Sequence, residues 1–156
     1  MEGTEAMLQG ISKEYLMLIV AIGLLFQVIW LILAYYIRAT VRLVREENRC
    51  LLPGQAWIVA IPLINIFYNF IVIRKLSDSL NNEFFDRQVA VDENPTLTQG
   101  YFMAYAYLAS NFPLPPFIGY LVIVISLICY FNYWMKVNEY RRLLKSNDSN
   151  PQEQLR

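Results

Sequence analysis

Histidine is absent from this 156-residue chain, and cysteine occurs only twice, at Cys50 and Cys129. Without imidazole there is no side chain that ordinarily exchanges protons near neutral pH. The two thiols are far apart and form no CxxC pair, so neither a redox motif nor zinc-ligand spacing is present. Excess charge is missing as well, because 13 Lys and Arg offset 13 Asp and Glu. That balance removes the basic footprint of a nucleic-acid binder. No Gly-rich phosphate loop occurs either. Catalytic, cofactor-binding and metal residues are therefore all expected to be none, and no nucleic-acid partner is expected.

A further absence is local. No Asp, Glu, Lys or Arg lies within Tyr15 to Ile37, Cys50 to Ile73, or Asn94 to Met135, runs of 23, 24 and 42 residues. A bilayer core about 30 Å thick takes about 20 helical residues per crossing, so the first two runs can each cross once and the third twice. Apolar residues make up 56% and charged residues 17%, more apolar and less charged than a soluble domain's usual balance. With no acid, lysine or histidine inside these runs, a nucleophile and base cannot be assembled at membrane depth. The expectation is an all-α integral membrane bundle with four apolar segments, about 15–37, 51–73, 96–112 and 117–135. A single membrane domain spans 1–145, followed by a disordered tail at 146–156.

The first run is too long for a signal peptide's apolar region and lacks a small-residue cleavage site before Arg38, so it reads as a retained span. Beyond it, Arg38, Arg42, Arg45 and Arg49 are spaced by four, three and four. On a continuing helix they share one side, forming a face for lipid headgroups or for an acidic partner. The second segment is broken at Pro62, which removes a backbone donor and clashes with the preceding turn. Asn65 and Asn69 follow, four apart on one face. Together with Gln27, Pro62, Tyr68 and Asn132 they make up a candidate intramembrane polar cluster, either interhelical hydrogen-bonding partners or the lining of a polar pathway.

Residues 74–88 predict an amphipathic surface helix. Ile73, Leu76, Leu80 and Phe84 form its apolar stripe, and Arg74 with Asp78 and Glu83 with Arg87 form opposite charges four apart. Pro113, Pro115 and Pro116 then split the longest run into two legs. The first leg carries Ala106 and Ser110 at small-xxx-small spacing and is expected to be the most protein-covered segment.

Two topologies fit. If all four segments cross, nine Lys and Arg share one side and four the other; if the second segment dips in and returns, the split is 12 against Lys13 alone. The second arrangement obeys the positive-inside tendency better, and both put the C-terminus in the cytoplasm.

The stretches Leu52-Pro53-Gly54-Gln55-Ala56-Trp57, Ile61-Pro62-Leu63-Ile64-Asn65, Lys75-Leu76-Ser77-Asp78-Ser79-Leu80 and Glu83-Phe84-Phe85-Asp86-Arg87 carry a resemblance. They look like a family of uncharacterised bacterial multi-pass membrane proteins with a PG..W…IP..N core and a following S-L-x-x-E-F-x-x-R helix. The resemblance implies architecture and the bacterial inner membrane, and no chemistry. The expected function is thus a non-enzymatic scaffold or accessory subunit, with membrane lipids and a protein partner or a second copy as contacts. The alternative is a channel or carrier for a small solute that uses the broken second segment, and an enzyme acting on lipid is the remaining exception.

Overall fold

The computed structural model describes residues 13–149, all of whose regular structure is helical. Helix α1 spans Lys13–Val41. Two short 3-10 turns follow, Glu46–Asn48 and Gln55–Ala60. Helix α2 spans Ile64–Asp86, α3 spans Leu97–Ser110, and α4 spans Pro116–Ser149. Residues 1–12, and the expected tail from 150 onward, lie outside the described residues. Its first part, 146–149, is still helical, because nothing in Lys145 to Ser149 breaks the helix.

Among the described residues, only α1 and α4 are long and apolar enough to cross a membrane. The second and third of the four expected segments do not form such helices. From Cys50 to Leu63 the chain is turns and 3-10 helix, and α2 begins only at Ile64. Pro62 supplies no N–H, and Leu63, at φ 67 and ψ −48, forms a tight three-residue turn closed by Ile64 N–H donating to Pro62 O at 2.8 Å. Residues 64–73 and the predicted surface helix are therefore one continuous α2.

The reversal makes a hairpin. At its open end, the backbone N–H groups of Cys50 and Leu51 donate to Ser79 Oγ at 2.8 and 3.3 Å. At its closed end, Asn65 N–H donates to Ile61 O at 3.0 Å. Between Ile64 and Ser79, α2 rises about 22 Å at 1.5 Å per residue. The stripe of Ile73, Leu76, Leu80 and Phe84 is fully buried against protein, so it is core and does not lie on a membrane.

α1 and α4 run parallel. Ile29 O accepts from the Tyr130 hydroxyl at 2.6 Å, the Tyr36 and Trp134 rings meet at 5.3 Å, and Arg141 lies over Tyr36. α3 runs antiparallel to α4, with Gly100 at Tyr133. There a Cβ would overlap the Ile73 side chain and fall 2.9 Å from Tyr133 Cε2. Gly100 thus leaves no room for a side chain between α2 and α4, and Ala106 and Ser110 are only half-buried. α2, with buried residues from Asn65 to Phe84, is more covered than α3.

The packed core occupies one end. It takes Trp30, Leu33, Ala34, Ile37 and Val41 from α1, and Tyr130, Tyr133, Val137, Tyr140 and Leu144 from α4. The first halves of both helices expose nearly every large apolar side chain, and only 11% of each helix's most apolar stretch is buried.

Candidate functional site

The polar side chains gather at two levels, one halfway along α1 and one at the packed end. At the first level the break before α2 leaves Ala60 O without a helical donor, since Ile64 N–H goes to Pro62 O and Asn65 N–H to Ile61 O. Gln27 fills that gap: its Nε2 donates to Ala60 O at 2.7 Å. In the first turn of α2, Asn65 is buried and its Oδ1 accepts from the Tyr107 hydroxyl at 3.3 Å. Asn69, one turn further, is equally buried, and neither its amide nitrogen nor its oxygen has a partner among the described residues.

The expected polar cluster is therefore only partly assembled. Gln27 and Asn65 each tie a neighbouring element to the hairpin, and Asn69 sits beside Asn65. Tyr68 is half-buried, Pro62 is exposed at the turn, and Asn132 faces outward on α4. A small cavity of about 30 Å³, lined by Phe26, Trp30, Tyr107, Ser126 and Tyr130 among others, adjoins this level. By volume that is room for one or two waters.

The second level is a knot around Glu83, which is 0% exposed. Its Oε2 accepts from Arg45 N–H at 2.9 Å and from Asn48 Nδ2 at 3.0 Å. Its Oε1 accepts from Arg87, whose two nitrogens each lie 2.7 Å away. The same Arg87 guanidinium donates to Leu43 O and Leu144 O and pairs with Asp148 at 2.7 Å. One ion pair thus joins the ends of α1, α2 and α4. Burial on its own raises the Glu83 pKa. The Asn48 amide, the Arg45 N–H and the Arg87 guanidinium outweigh burial and hold the carboxyl below its usual range. Sequence spacing revealed the Glu83–Arg87 pair as an i,i+4 contact. Its burial, and the roles of Asn48 and Asp148, carried no local signal.

The four arginines do not form one stripe. α1 ends at Val41, so Arg45 and Arg49 leave the helical register. Arg49 turns back and caps α1, donating to Val41 O, Val44 O and Arg42 O at 3.1, 2.8 and 3.2 Å. That satisfies carbonyls which a helix end leaves open. Arg45 lies 3.8 Å from Glu83. Arg38 instead stacks over the Trp57 ring, 5.5 Å from its centroid, and Arg42 is exposed. Of the pairs expected on α2, Glu83 with Arg87 forms an ion pair, and no ion pair joins Arg74 and Asp78 among the described residues.

Among the described residues no group of three or more His, Cys, Asp or Glu is placed to hold a metal ion. Cys50 is exposed beside Asn82, Cys129 is half-buried, and both are free thiols.

No protein-family model, curated protein or solved structure matches the chain. The PG..W…IP..N resemblance accordingly supplies no residue roles, and function rests on the geometry.

Proposed function

We propose that the protein is an integral membrane, non-enzymatic scaffold or accessory subunit. In this reading α1 and α4 cross the bilayer of a bacterial cytoplasmic membrane. α3 is the shorter leg of a hairpin with α4, and residues 50–86 form a re-entrant hairpin that enters and leaves on the packed side. Irregular backbone at membrane depth is tolerated where protein covers its polar groups, and Gln27 does that for Ala60 O. The turn exposes apolar groups, with Leu63 at 78% and Phe67 at 71%, which suits lipid tails and not water. With the hairpin re-entrant, the basic residues other than Lys13 fall on one side, which the positive-inside tendency makes cytoplasmic.

The observation that carries the reading is that the polar groups are turned onto the fold itself. Gln27, Asn65, Asn48, Glu83 and Arg87 hold one element to another. What is left to the outside is an apolar girdle with Arg42, Arg74 and Arg142 exposed, a surface suited to contact. A topology reporter placed within 42–48 is expected to read cytoplasmic, and a periplasmic signal overturns the re-entrant arrangement. Affinity capture in mild detergent is expected to recover a stoichiometric partner or a second copy. A lone monomer would sink the scaffold reading.

One observation favours a second reading, a carrier or channel for a small polar solute. The Asn69 amide is buried with no partner at the level of the helix break, where unwound backbone lines solute sites in transporters. Solute flux in liposomes that Asn65→Leu with Asn69→Leu abolishes would establish it in place of the first.

A further inference from the structure

We infer that Arg38 and Arg42, with the ring of Trp57, form a binding site for the phosphate of an anionic phospholipid; this rests on the membrane reading above. Arg42 N–H bonds to Arg38 O at 3.1 Å, so the two guanidinium groups leave the same side of the chain one turn apart. Neither side chain makes an ion pair or hydrogen bond among the described residues. The nearby carboxylates are already engaged. Glu46 pairs with Arg49, Glu47 with Arg45, and Glu83 with Arg87, while Asp86 accepts from Asn48. The fold thus neutralises Arg45, Arg49 and Arg87 and leaves two adjacent cations without a counter-ion.

The position selects the occupant. Arg38 directly follows Ile37, the last residue of the first charge-free run, so its guanidinium lies at the headgroup level if α1 crosses. Helical periodicity places Leu24, Leu31 and Tyr35 below it on the same side, and all three are exposed. A cationic pair above an apolar strip matches a molecule with a phosphate head and acyl tails. A free phosphate would leave the strip uncovered, and an acidic protein segment would have to enter the headgroup layer. Stacking on Trp57 holds the Arg38 plane in place, which favours a two-point contact with phosphate oxygens.

The full-length protein is reconstituted in nanodiscs of phosphatidylcholine mixed with phosphatidylglycerol, then released into detergent for native mass spectrometry of retained lipid. Retention of phosphatidylglycerol over phosphatidylcholine is expected at roughly fivefold per guanidinium, about thirtyfold for the pair. Arg38→Gln with Arg42→Gln is expected to remove most of that preference. Arg74→Gln with Arg142→Gln, which removes equal charge from exposed positions elsewhere, is expected to leave it within about twofold. Circular dichroism of each variant reports folding. If the glutamine pair misfolds, Arg38→Lys with Arg42→Lys replaces it and is expected to lose part of the preference, since lysine lacks the fork. Equal loss in both glutamine pairs would mean diffuse attraction and overturn the site. So would an unchanged preference, or capture of an acidic protein at Arg38 in place of lipid. Failure to enter nanodiscs at all would instead overturn the membrane reading, so the two failures are distinguishable.

Discussion

The Glu83 carboxylate and the Arg87 guanidinium lie 2.7 Å apart, one turn from each other on α2, at the point where α1 and α4 also end. An i,i+4 pair on an exposed helix contributes about 0.3–0.5 kcal/mol. Here the carboxylate is wholly buried and four donor groups converge on it, so removing either partner strands the other away from water.

Glu83→Leu or Arg87→Leu alone is expected to destabilise the protein by about 3–5 kcal/mol. The double variant should cost clearly less than the sum. Reversible unfolding in detergent micelles, read as a double-mutant cycle, measures the coupling. A coupling near zero would show that the two residues act independently.

Acid should weaken the knot. Because folding lowers the Glu83 pKa from its usual 4.5, the unfolded chain binds the proton more readily. The stabilisation is complete above 4.5 and is lost as pH falls through the lowered value. Unfolding midpoints of the wild type should therefore drop more steeply on acidification through this window than those of Glu83→Gln. Parallel curves would contradict the assignment.

Gly100 sits where α3 packs against Ile73 and Tyr133 with no room for a Cβ. Gly100→Ala is expected to cost about 1–3 kcal/mol, since the new methyl must displace Ile73 or Tyr133. Adding Ile73→Val should recover part of the loss, which thermal denaturation of the single and double variants would reveal.

The two buried asparagines should respond in opposite directions. Asn65→Leu loses the bond from Tyr107 and leaves that hydroxyl unpaired, a cost of about 1–3 kcal/mol. Asn69→Leu removes an amide that has no partner among the described residues, so stability should hold or rise. Matching losses in thermal melts of both would indicate that Asn69 has a partner, such as a bound water or solute.

The charge-free runs and the prolines fixed a good deal in advance. Helical class, the apolar character of α1 and α4, the break at Pro62 and the stripe from Ile73 to Phe84 were all legible, because each is a matter of spacing along one segment. The Glu83–Arg87 contact was legible for the same reason. The arginine stripe misled because it assumed that α1 continues past Val41. The helix stops there, with Arg49 folded back over its carbonyls. Just beyond it, Arg45 N–H donates to Glu83, a residue brought in from α2.

Sequence by itself determined which segments are long, apolar and free of charge, since hydrophobicity and period are properties of neighbouring residues. Tertiary structure alone decided that the Ile73–Phe84 stripe faces protein, that Gln27 meets Ala60, and that Glu83 is buried among Arg45, Asn48 and Arg87. The bonds from Gln27 to Ala60 and from Arg45 and Asn48 to Glu83 join residues 33 to 38 positions apart, and no local pattern encodes which distant donor will satisfy a given buried acceptor.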